Sequence, residues 1–165
     1  PVMENARSIQ ARFLCGDLSL EDTFTKYRKK LLAPRVAIQE FSREIIDNAA
    51  RGNDLTVGET FSIDNSAGGL QDIHWIVACG VMTGPLDDPG LLESVETMSL
   101  LHDLVMVEFL SMDGYRALQH AYMKYRESLH VLDLQHEPHT VPSREMEKLS
   151  LGVERVFNRV FSHMT

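Results

Sequence analysis

Seven histidines and 24 acidic side chains give this chain of 165 residues the means to bind a cation or move a proton. The densest grouping is His130, Asp133, His136, Glu137 and His139. Imidazole nitrogens and carboxylate oxygens are ligands for transition metals, and imidazole changes charge at mildly acidic pH. Glu127 and His130 form one Glu-x-x-His at helical spacing, whereas a di-metal site inside a bundle needs a matching second pair. The tract therefore reads better as a polar connector. Cys79 would be a nucleophile only beside a base, and nothing in its surroundings supplies one, so it reads as a buried thiol. Another His-Asp pair sits in Leu100-Leu101-His102-Asp103-Leu104.

That second pair resembles the His-Asp signature of metal-dependent phosphohydrolases, helical enzymes that hydrolyse phosphate esters. The resemblance implies an upstream histidine and a downstream aspartate in the same metal shell. Here His74, 28 residues before His102, and Asp133 take those places, giving His74, His102, Asp103 and Asp133 as the catalytic set. Such a cluster would hold a metal that activates water and neutralises phosphate charge. Val105 and Met106 follow the pair where that family often carries Gly or acidic residues. A His-Asp pair on a helix surface is the competing account.

Arg43-Glu-Ile-Ile-Asp47-Asn48-Ala and Asp64-Asn-Ser-Ala-Gly68-Gly69 look like two nucleotide-binding boxes of the histidine-kinase and chaperone ATPase family. Only 16 residues separate Asn48 from Asp64, too few for the strands between those boxes, and no lid motif follows. The plainer reading is a helix end and a glycine turn. Trp75-Ile-Val-Ala after Gly68-Gly69, with Gly114-Tyr115 opening a later helix, resembles the helical-bundle regulators of apoptosis, although the Arg that pairs with their ligand helix has no counterpart beside Trp75. This implies an architecture in which helices around an apolar centre present a groove to a partner helix.

The elements that would position these groups follow from hydrophobic spacing. Met3, Ala6, Ile9 and Phe13 mark a first helix that stops at Gly16. Ser19 to Asp22 has the form of a capping box, and Leu20, Phe24, Tyr27 and Leu31 make the stripe of a second. Pro34 opens a third, with Ile38, Phe41, Ile45 and Ala49. Residues 70–83 are apolar on all sides apart from their first turn and His74, which requires a central position. Length favours a helix there. The alternative is a β-hairpin within 56–80, since Val57, Glu59, Phe61 and Ile63 alternate at period two, as do Ile73, Trp75, Val77 and Cys79. Residues 84–90 form a Gly/Pro loop. Leu91, Val95, Met98, Leu101 and Val105 predict a long helix running on through the apolar stretch 104–110. Tyr115, Leu118, Tyr122, Tyr125, Leu129 and Leu132 predict another, and Met146, Leu149, Val153, Phe157 and Val160 the last.

Composition bounds the rest. A hydrophobic fraction of 44% and a charged fraction of 24% are those of an ordinary globular domain. The net charge of −8 repels phosphate backbones, and Lys26, Arg28, Lys29, Lys30 and Arg35 read as a solvated face, so no nucleic-acid partner is expected. Two cysteines without metal-ligand spacing, no apolar run of bilayer length and no cleavable signal suggest an intracellular, cytoplasmic chain. Pro1 reads as a tag remnant or a processed end.

Together these features predict a mainly α single domain over 1–165, a bundle of about six or seven helices around a buried apolar centre. The functional expectation is a non-enzymatic regulatory or effector-type domain that binds a protein partner through an apolar helical groove. It needs no cofactor and is compatible with a homodimer. Tyr115, Tyr122, Met123 and Tyr125 are its expected anchors, since tyrosines serve interfaces while also facing water. The His-Asp phosphohydrolase, acting on a phosphate ester or nucleotide, is the alternative.

Overall fold

The computed structural model describes residues 8–32, Arg43, Ile45, 60–83 and 94–162. The chain is mainly α, with five helices and one two-stranded sheet among those residues rather than six or seven helices. In chain order they are α1 (Leu18–Leu32), β1 (Thr60–Ser62), α2 (Leu70–Thr83), α3 (Thr97–Met106), α4 (Met112–Gln135), β2 (Thr140–Pro142) and α5 (Ser143–Ser162). The start of the expected first helix, most of the expected third helix and the 84–90 loop lie outside the described residues. Residues 8–10 form a turn, and Ile9 and Ile45 are buried.

The all-round apolar segment is α2, and it occupies the centre as its composition requires. Ile73, Ile76, Cys79 and Met82 are completely buried, against α3, α4 and α5. Gly80 allows α3 to approach closely: a Cβ there would lie 2.4 Å from a Leu104 methyl. The hairpin within 56–80 does not form. β1 instead pairs antiparallel with β2, with Thr60 opposite Pro142, Phe61 opposite Val141 and Ser62 opposite Thr140. The period-two alternation marks a real strand at Thr60–Ser62, but its partner lies about 80 residues away, beyond the reach of any local pattern.

The expected long helix through 104–110 is also corrected. α3 ends at Met106, where the amides of Phe109 and Leu110 both turn back to the Leu104 carbonyl and Glu108 takes a left-handed φ of 59°. A left-handed residue satisfies the last carbonyls of a helix, a position usually marked by Gly, and a glutamate gives no such signal. Ser111 then caps α4, its Oγ accepting the Gly114 amide at 3.1 Å. α4 buries Leu118, Ala121, Tyr125 and Leu129, and left-handed His136 closes it. α5 buries Met146, Val153, Val156, Val160 and Phe161.

α1 is capped by Asp17, just before Leu18, rather than by the expected Ser19 box: Asp17 Oδ1 accepts the Ser19 amide at 2.8 Å. No described helix is long and apolar enough to cross a membrane.

Candidate functional site

The polar side chains gather at the N-terminal end of α2, where a tight turn over 62–69 meets α4, β2 and α5. Ser66 Oγ accepts the Ser62 amide at 2.9 Å, and the amides of Gly69 and Leu70 bond the carbonyls of Ser66 and Ile63, both at 2.8 Å. Gly68 has φ +72°, and a Cβ on it would fall 2.3 Å from the Ser150 carbonyl oxygen of α5. Only glycine allows both the conformation and the approach. The Asp64-Asn-Ser-Ala-Gly68-Gly69 segment is thus the glycine turn of the plainer reading, wedged between helices.

Two polar groups lock that turn. The Gly68 amide donates to Asp72 Oδ2 at 2.7 Å, and Tyr125 Oη donates to the Gly68 carbonyl at 2.8 Å. Burial, reinforced by the negative charge of Glu154 on α5 and opposed by the Gly68 amide, pushes the Asp72 carboxyl up to about 6. The Tyr125 phenol is pushed up as well, by burial and then by Asp72 and Glu154. These groups form a half-buried acidic junction, closed on its inner side by buried Tyr125, that joins α2, α4 and α5.

On its solvent side lies a second cluster. His139 Nδ1 is 2.6 Å from Asp64 Oδ2, and its Nε2 is 2.9 Å from Asp133 Oδ1. Hydrogen bonds to Asp133 and Asp64 raise the pKa of His139. His74 stands edge-on to Tyr122, with ring centroids 6.4 Å apart. Burial and then Arg126 hold its pKa below the ordinary value, with Asp64 opposing them. The two imidazoles beside Asp64 are therefore biased in opposite directions.

The four residues of the phosphohydrolase reading are not brought together. His74 packs on Tyr122, while His102, largely exposed, packs edge-on to Tyr115 at 6.2 Å. These tyrosines are seven residues apart on α4, roughly 10 Å along its axis, and Asp133 is roughly 16 Å further on. Asp103 accepts a hydrogen bond from Ser94 Oγ at 2.7 Å, and Asp133 pairs with His139. Among the described residues no group of three or more His, Cys, Asp or Glu side chains converges on a metal position. Cys79 is buried, its thiol pushed up to about 12 by desolvation.

Of the expected anchors, Tyr125 is completely buried and occupied with Gly68, Tyr122 and Tyr115 are half-buried against histidines, and Met123 is exposed. An open cleft of about 250 Å³ between the start of α4 and the end of α5 is walled by Leu110, Val156 and Val160 with Arg159, and none of the four lines it. Sequence reasoning missed Asp72, Glu154 and the pairing of His139 with Asp64. The glycine pair marked the turn, but nothing local to it announced its partners on α4 and α5.

No family model matches the chain. It is similar to enzymes named bifunctional glutamine synthetase adenylyltransferase/adenylyl-removing enzyme: at 25% identity over 94% of its length to that of Nitrosococcus oceani, at 25% over 95% to that of Pseudomonas aeruginosa, and at 31% over 93% to that of Shewanella loihica. The chain spans 16%, 18% and 16% of those relatives, respectively. These likenesses overturn the expectation of a non-enzymatic regulatory or effector domain, because the relatives share the name of a nucleotidyl-transferring enzyme. That expectation rests on the resemblance to a groove-bearing helical bundle and on tyrosines suited to an interface, neither of which excludes part of an enzyme. A segment corresponding to about one sixth of an enzyme need not carry a catalytic motif.

Proposed function

We propose that this chain is a helical unit of an enzyme that attaches adenylyl groups to glutamine synthetase or removes them from it. The observation that supports this is the reach of the resemblance: relatives sharing one name align with 93–95% of this chain. In such an enzyme the partner is glutamine synthetase and the donor is a nucleoside triphosphate. In attachment an acceptor oxygen bonds to the α-phosphorus, pyrophosphate departs, and the acceptor's proton passes to a base. In removal an oxygen of water or inorganic phosphate bonds to the adenylyl phosphorus and the protein's oxygen departs, taking up a proton. The contribution argued for the described residues is positional. The Gly68 turn, held by Asp72 and Tyr125 and pressed on Ser150, fixes three helices at one point and presents Asp64 and Asn65 on its outer side.

The test uses the native gene product that carries this chain, incubated with glutamine synthetase and ATP labelled in the α-phosphate, and separately with glutamine synthetase already adenylylated. Label should enter the first or leave the second, at a rate that falls at least tenfold in Gly68→Ala. A native product inactive in both directions, or one whose activity survives excision of this segment, would sink the proposal.

A further inference from the structure

His139 lies between two carboxylates, one on each ring nitrogen. Neutral imidazole carries one N–H and one lone pair, so it can donate to Asp64 or to Asp133 but not to both, and the bare nitrogen would face a carboxylate oxygen. Only the imidazolium satisfies both contacts. The three residues belong to different segments: Asp64 to the turn after β1, Asp133 to the last turn of α4, and His139 to the connector leading into β2. The backbone adds one further tie here, from the Ile63 amide to the His139 carbonyl at 3.0 Å. The strand pair beside it is only three residues long.

We propose that His139 is a proton-gated clasp that holds the α4–α5 connector against the 62–69 turn when protonated and releases one side of it when neutral. The charged groups around it agree with that role. Asp64 and Asp133 are the charges that act on His139. Asp64 also faces His74, which Arg126 of α4 helps keep neutral, and from α5 Glu154 acts on Asp72 and Tyr125 instead. The clasp is exposed, with 41% of the His139 side chain and 63% of Asp133 open to water. Solvent protons reach it without unfolding, and its effect is local.

The sign follows from the direction of the shift. The folded pKa of His139 lies above its unfolded value, so the clasp's stabilisation is complete below the ordinary histidine pKa and is lost as pH rises through the raised one. NMR titration of the imidazole carbons should place the His139 midpoint above that of unfolded histidine. Asp64→Asn and Asp133→Asn should each lower it. Across the same pH range the exchange protection factor of the Ile63 amide, corrected for intrinsic base catalysis, should fall roughly two- to five-fold, the scale of one exposed ion pair. In His139→Gln it should be flat with pH. A midpoint at or below that of unfolded histidine, or the same pH-dependent loss of protection in His139→Gln, would overturn the clasp.

Discussion

α1 and α2 have almost the same length and treat their apolar residues in opposite ways. In α2 every residue from Ile76 to Met82 is buried. In α1 three of the four residues of the predicted stripe face outward, with Leu20 57%, Tyr27 64% and Leu31 44% exposed and Phe24 half-buried against Phe13, while Arg28 and Leu32 are buried. Arg28 donates to the carbonyls of Ser8, Ile9 and Ser94, the last at 3.0 Å, which compensates its desolvation and ties α1 to the segments before it and before α3. A hydrophobic stripe says which face of a helix would gain from burial. Whether it is buried depends on what lies opposite, and an arginine with enough carbonyl acceptors can take the inner place instead.

The comparison can be broken most directly at the centre of α2. Ile76→Asp would place a carboxylate among apolar groups with no donor to receive it, costing about 4 kcal/mol or more and preventing a native fold. A thermal transition like that of the wild type would mean that α2 is not the centre of the molecule.

Gly68→Ala comes next, because it combines a left-handed backbone with a clash against main chain that no side-chain rotation relieves. We expect a loss of about 2–4 kcal/mol in denaturant unfolding. Gly16, just before α1, provides the contrast. Its φ of +138° also disfavours a side chain, but the nearest obstacle to a Cβ is the tip of the Phe13 ring at 3.0 Å, which can move aside. Gly16→Ala should cost about 1 kcal/mol. Equal losses at both sites would show that backbone conformation alone, rather than contact with α5, sets the penalty.

Asp72→Asn should act in the stabilising direction. The folded carboxyl titrates near 6, above its unfolded value, so the folded state binds more protons over the interval between them. Wild-type stability therefore falls as pH rises through that window and stays lower above it. Asparagine keeps an oxygen for the Gly68 amide and carries no charge towards Glu154. Above pH 6 the variant should be more stable by about 1–3 kcal/mol, and near pH 3 the two proteins should converge. Paired unfolding curves at the two pH values decide it, and a variant less stable than the wild type above pH 6 but equal to it near pH 3 would show that the ionised carboxylate is needed at the junction.

These cases mark what could be read in the sequence. α2, α4 and α5 were legible because their apolar spacing matches what their surroundings bury. β1 was legible as a strand, but its partner was not, because pairing with Thr140–Pro142 closes a long loop whose register no neighbouring residue encodes. The end of α3 was hidden by a glutamate doing the work of a glycine. At the site, Asp64, Asp133, His139 and the glycine pair all attracted notice as residue types. Asp133 and His139 belong to one tract in sequence and do pair, whereas Asp64 joins them from 75 residues away, which no local pattern indicates. Asp72 and Glu154 gave no signal at all, because an acid in the first turn of a helix and one within an amphipathic helix are ordinary in sequence and unusual only once packed together.

The smallest effect is expected on α1, and it tests the outward-facing stripe directly. Leu20 is more than half exposed, so replacing it removes little apolar area from contact, and serine lowers helix propensity only slightly near an N-terminus. Leu20→Ser should therefore shift unfolding of this chain by no more than about 0.5 kcal/mol, although hydropathy alone ranks that position with the core. A loss of about 2 kcal/mol would mean that the α1 stripe is buried in solution as its spacing predicts, and the contrast between the two helices would disappear.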